Sequence, residues 1–240
     1  MSNILSPEQL ISSVWARWVL PSLSVLLICL VQYLIFIVVP DENVMGSAQR
    51  IFYFHVGAAF TSYLMIAILF IASVYYLWSA DARSDHFARA AAEIALLFAS
   101  IVLITGMIWG KSSWNTYWRW EPRIVSQLIL WLTLAGYVLV RKLLATEEVQ
   151  AARFAAVLGV LATVLVPVVI FSIRLIEPSA QLHPQVISNQ GLRAPSFVWT
   201  LLTATLALGT FASWLWLLLV AKLFLQAEIT NLSRQRHLEE

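Results

Sequence analysis

Six stretches of this chain run for 17 residues or more without a charged side chain, and they constrain what it can fold into. They are 18–40, 51–80, 94–110, 124–140, 154–173 and 194–221, of 23, 30, 17, 17, 20 and 28 residues. As helix, each is long enough to cross a hydrocarbon core, which takes about 17–25 residues. None alternates apolar and polar residues at period two, which argues against a closed barrel. A bundle of helices is the other structure that satisfies every backbone group inside lipid. At 60% hydrophobic and 12% charged residues the composition is that of a membrane protein, not of a soluble domain. We therefore expect an all-α polytopic fold. It is a single integral membrane domain over 1–240, with spans at about 18–40, 53–78, 91–110, 123–141, 154–174 and 197–222. The first run is too long for a signal-peptide core and lacks a small-residue cleavage site, so it is expected to be retained.

Orientation follows from Lys and Arg. Six spans put both termini on one side, together with Arg17, Arg83, Arg89, Arg141, Lys142, Arg153, Lys222, Arg234 and Arg236. The other side carries Arg50, Lys111, Arg119, Arg123, Arg174 and Arg193. Nine against six places the termini in the cytoplasm. The six outer cations run against that bias, which an anionic ligand would explain as well as solvated loops would.

The outer side also holds an unusual stretch, WGKSSWNTYWRWEPR at 109–123. With 11 Trp in 240 residues, a 12-residue window should hold about half a Trp; Trp109, Trp114, Trp118 and Trp120 make four. An aromatic belt at the headgroups accounts for Trp15, Trp18, Trp78 and Trp199. It does not account for this density, or for the interleaved Lys111 and Arg119. A platform of indoles against a large flat apolar ring does, with the cations free to meet its carboxylates. Helical spacing would pair Trp114 with Trp118 and Trp109 with Trp120 on common faces. Glu121-Pro122 reads as the start of the fourth span, Pro being suited to the first turn and Glu to its positive end.

Several chemistries lack their residues. The single cysteine, Cys29, forms no disulfide and no Cys-x-x-Cys-His haem-attachment site. No phosphate-binding Gly-x-x-x-x-Gly-Lys-Ser/Thr loop or His-Glu-x-x-His helix occurs. No carboxylate falls near the middle of a span, as a proton relay would require; Glu93 lies at an inner end. The pairs Asp41–Glu42 and Glu147–Glu148 read as solvated loop charges.

Of four histidines, His86 and His237 fall among charges on the cytoplasmic side. His55 begins the second span and His183 sits in the outer loop between the fifth and sixth. Singly, each is accounted for as an interfacial side chain. Together, on the same membrane face as the Trp stretch, they can ligate one metal from opposite sides of a planar macrocycle, as proteins hold haem iron.

Three blocks of sequence, RIFYFHVGAAF at 50–60, the Trp stretch with IVSQLIL after it, and LHPQ at 182–185, resemble the haem exporter protein C (CcmC) family of cytochrome c maturation. The resemblance covers nearly all of 1–225 in block order, span count and loop size. It implies transient binding of haem b at the outer face of the bacterial cytoplasmic membrane, with His55 and His183 as axial ligands. Trp109, Trp114, Trp118, Trp120 and Glu121 would lie against the porphyrin edge, and Arg50 and Arg123 would meet the propionates. It also implies delivery of haem to a CcmE-like chaperone, with an ATPase and membrane subunits resembling CcmA, CcmB and CcmD. The chain departs from the family pattern at Glu121, where the signature usually ends in Asp. It departs again at Pro184, where Gln commonly follows the His, and at Asn115 and Thr116, where small residues are usual. The alternatives are a CcsA-like component of a cytochrome c synthetase, a haem-b electron-transfer subunit and a small-solute transporter. The first normally has more spans and further His ligands, and the second requires His pairs inside spans.

Overall fold

A computed structural model describes residues 13–41, 46–172 and 195–239. Its described residues form six helices long and apolar enough to cross a membrane. They are α1 (Trp15–Val38), α2 (Arg50–Ser79), α3 (Ala82–Trp114), α4 (Pro122–Leu143), α5 (Glu148–Phe171) and α6 (Pro195–Glu239). The chain is thus an all-α polytopic membrane protein. His183, Arg174 and Arg193 lie outside the described residues.

The helices overrun the charge-free runs, because the ends of a membrane helix can stand in the headgroups or in water. Helix α3 begins at the Asp81 cap, whose side chain accepts from the Arg83 amide, and it runs past Lys111 to Trp114. Helix α6 carries the charged tail as far as Glu239. Helices α2 and α3 are joined by two residues only, with Ala80 in the left-handed region (φ 53°) closing α2 through its amide to the Tyr76 carbonyl. So short a turn leaves the pair no arrangement but side by side and antiparallel, and theirs is the most extensive helix contact in the molecule.

Lipid tails are as apolar as leucine, so helices in a bilayer associate through close packing and hydrogen bonds instead of the hydrophobic effect. The α2–α3 seam has both. Ala88, Ala91, Ala92, Ala95 and Ala99 of α3 are buried beside Ala58, Ser62, Met65, Ile66 and Leu69 of α2. The Ser62 hydroxyl crosses the seam to the Ala95 carbonyl at 3.1 Å. Polar ties also fix α4 and α6 to α3: the Trp131 indole N–H donates to Ser100 Oγ at 2.8 Å, and the Trp216 indole N–H to the Phe87 carbonyl at 3.3 Å. Gly159 of α5 is a close approach of a different kind. A Cβ there would stand 2.6 Å from Ser73 Oγ, so only glycine lets α5 meet α2. Helix α1 is the peripheral one, held to α6 by the Trp214 indole N–H on the Ala16 carbonyl at 3.0 Å.

At the end of the bundle that holds the α2–α3 turn, Arg141 of α4 grips Asp85 of α3 through two hydrogen bonds of 3.1 and 2.8 Å, both side chains about 90% buried (11% and 10% exposed). Breaking such a pair strands a charge, whereas removing both partners does not. Asp85→Leu alone should destabilise the bundle by about 3–5 kcal/mol. The double variant Asp85→Leu/Arg141→Met should recover most of that loss, as read from thermal unfolding in detergent.

Candidate functional site

At the opposite end of the bundle, the first turns of α2 and α4 and the last turns of α3 and α5 surround a cavity. The hollow is small, with about 60 Å3 of room for water-sized molecules, and it opens to its surroundings. His55 and Tyr63 come from α2, Gly106 and Trp114 from α3, Arg123 and Gln127 from α4, and Val169 from α5. Trp118 and Arg119 come from the segment between α3 and α4.

His55 is held by α3. Its Nδ1 lies 3.0 Å from Thr105 Oγ1, which is itself 2.6 Å from the Ile101 carbonyl. A hydroxyl has one proton, and the shorter contact, to a carbonyl that can only accept, claims it. Thr105 therefore accepts from His55, the imidazole proton sits on Nδ1, and Nε2 keeps its lone pair. Gly106 makes room for this: a Cβ there would stand 3.1 Å from His55 Cε1. The result is an imidazole fixed in tautomer and orientation, with the nitrogen suited to a metal left unprotonated.

The Trp stretch is half helix and half returning loop. Asn115 adopts the left-handed region (φ 56°) and ends α3. Lys111 Nζ then donates to Asn115 Oδ1 at 2.8 Å, so this cation caps a helix end and is not among the residues lining the cavity. Gly110 lets the chain fold back, since a Cβ there would stand 3.2 Å from the Thr116 carbonyl oxygen. The pairing expected from helical spacing is therefore wrong. The helix stops between Trp114 and Trp118, and the edge-to-face pairs are Trp109 with Trp114 at 4.8 Å and Trp118 with Trp120 at 5.6 Å. Trp114 and Trp118 line the cavity. Trp120, 79% exposed, borders a neighbouring groove with Leu103, Met107, Trp118, Leu128 and Trp131, and Trp109 borders neither.

The cations divide in the same way. Arg50 is bound to Asp41 at 3.0 Å and lies over the Phe36 ring, outside the cavity lining. Arg119 faces Glu121 at 3.9 Å, and Glu121 stands at the position before Pro122 that opens α4. Arg123 lines the cavity and has no carboxylate partner among the described residues. Sequence reasoning missed Thr105, Gly106, Tyr63 and Gln127. Only Gln127 left a readable trace, as an amide within the charge-free run 124–140.

The sequence matches the family model of heme exporter protein C over residues 3–236. The chain belongs to the heme exporter protein C family. A heme exporter protein C of Bradyrhizobium diazoefficiens is 34% identical over 134 residues, 56% of this chain and 51% of the relative. A ccmC-like mitochondrial cytochrome c biosynthesis protein of Marchantia polymorpha is 38% identical over 104 residues, 43% of this chain and 46% of that one. With these relatives the matched region spans about half of their length or less. The match to heme exporter protein C of Haemophilus influenzae is broader, 31% over 185 residues, covering 75% of this chain and 72% of the relative.

The Thr105 contact can be tested without any ligand. Thr105→Val keeps the shape and removes the hydroxyl that His55 Nδ1 contacts. The expected result is a shift of the His55 ring nitrogen resonances away from the Nδ1–H form, with Thr105→Ser restoring them.

Proposed function

We propose that this chain is a haem-handling protein of cytochrome c biogenesis. It holds haem b transiently at the extracytoplasmic face of the bacterial cytoplasmic membrane, with both termini in the cytoplasm. From there it delivers haem to a chaperone of the CcmE kind, working beside an ATPase and small membrane subunits of the CcmA, CcmB and CcmD kind.

The observation that carries this reading is the shared cavity of His55, Trp114, Trp118 and Arg123. Haem is a flat apolar ring with a metal at its centre and two carboxylates on one edge. The cavity offers each part a counterpart: an oriented imidazole nitrogen, indole faces, and a guanidinium without a counter-ion among the described residues. Among the described residues no three His, Cys, Asp or Glu side chains converge as a bare metal ion would need, so His55 is better matched to an iron already held by four porphyrin nitrogens. His183 is the second axial ligand in this proposal; its segment joins the outer ends of α5 and α6, and Val169 near the end of α5 lines the cavity.

Each residue then has a task in transfer. The imidazoles hold the iron, and the indoles cover the ring edge and present it. Arg123 neutralises a propionate; Arg50 would serve the other by exchanging Asp41 for it. Trp109 supports the platform through its contact with Trp114, and Glu121 does so by opening α4 where Arg123 can reach the cavity. Trp120, the most exposed of the four indoles at 79%, is placed to touch a partner.

Replacing Trp114, Trp118 and Trp120 together by Ala removes about 0.5–1.5 kcal/mol of ring contact at each position. Haem loading of the chaperone should fall by about 10- to 2,000-fold, at unchanged yield and membrane insertion. His86→Ala, on the cytoplasmic side, should load normally. Intact loading by the triple variant would reduce the indoles to an interfacial belt.

A further inference from the structure

One polar side chain in the cavity wall has no hydrogen-bond partner among the described residues. Gln127 is 6% exposed, lines the cavity, and neither its amide nitrogen nor its amide oxygen forms a hydrogen bond. An unsatisfied buried polar atom costs about 1–3 kcal/mol, and here there are two on one residue. Such an expense is retained where a ligand repays it.

Gln127 stands one helical turn after Arg123, at i and i+4, so both side chains leave the same face of α4. Both line the same cavity, and Arg123 is likewise without a carboxylate among the described residues. Among the described residues the cavity lining contains no Asp or Glu. A guanidinium and a primary amide on one helix face, neither with a carboxylate partner among the described residues, offer donors of the kind a carboxylate accepts from.

We propose that Gln127 and Arg123 together form the seat for one carboxylate of the cargo, with Gln127 as its specificity-determining arm. The inference rests on the haem reading above and assigns the carboxylate to a propionate. The guanidinium supplies the charge and up to two hydrogen bonds, and the amide nitrogen supplies a third to the same group. The amide oxygen is then free to accept from the guanidinium, which locks the two arms when the carboxylate arrives. The seat is rigid because both residues sit on the first two turns of a helix begun by Pro122. Seated at a fixed point relative to His55, one propionate would fix which edge of the ring faces outward.

The test uses the full-length chain in detergent, titrated with haem and with haem dimethyl ester, whose esters carry no charge. Gln127→Met keeps the bulk and removes the amide. Gln127→Glu places a carboxylate where it pairs with Arg123 and repels the cargo. We expect Gln127→Met to weaken haem binding by about 10-fold and Gln127→Glu by about 100-fold, with the ester bound equally by wild type and both variants. If Gln127→Met does not fold, Gln127→Asn, which withdraws the amide by one methylene, carries the same comparison. Equal weakening toward haem and ester would overturn the seat and leave the amide a packing residue. Wild-type affinity for haem in Gln127→Met, alongside loss in His55→Ala, would overturn the seat and leave the haem reading standing. Indifference of haem binding to His55→Ala as well would remove the haem reading, and the seat with it.

Discussion

The site depends on how closely α2 and α3 lie together. A two-residue turn holds the pair at one end, and the alanines of α3 let the two backbones approach along their length. That approach continues to the opposite end, where it brings His55 within hydrogen-bonding distance of Thr105 and packs its ring over Gly106. A wider separation would return the imidazole proton to an open choice between two nitrogens. The same contact makes one wall of the cavity, so packing energy in the middle of the membrane and ligand geometry at its surface are properties of one interface.

Lipid makes some of this readable from sequence and hides the rest. A charge is expensive in hydrocarbon, so charge-free runs report spans directly, and the six helices were legible for that reason. Helix ends carry no such penalty. Helix α3 extends beyond Lys111 because a cation at a helix C-terminus is favoured by the exposed carbonyls. The left-handed turn at Asn115 was not legible either, and it decides which indoles meet. A spacing of four predicts contact only while the helix lasts, and it ends one residue after Trp114.

The candidate residues divide by how much each depends on the third dimension. His55, Trp114, Trp118 and Arg123 could be suspected from type and membrane side, and the fold gathers them into one cavity. Arg50 had the same credentials in sequence, yet its guanidinium is engaged by Asp41 nine residues earlier, a pairing that no helical or strand period announces. Thr105 and Gly106 look like ordinary span residues until a histidine from another helix is set against them. Gln127 lies between these cases, polar enough to be noticed but without meaning until its amide is found buried and unpartnered.

The arrangement supports a carrier that must hold its cargo and release it. In the proposed carrier, His55 and His183, the edge-to-face indoles and the carboxylate seat would each contribute a modest share, so that a partner could replace them one at a time. The central claim is that the iron is held by His55 and His183, one placed by α3 and the other reached through the segment between α5 and α6. Absorption and electron paramagnetic resonance spectra of the purified, haem-loaded full-length chain test it most directly. The account predicts a low-spin ferric centre with two nitrogen ligands. That centre should turn high-spin or lose haem in His55→Ala and in His183→Ala, and should persist in His86→Ala. A low-spin spectrum unchanged by either outer substitution would contradict it.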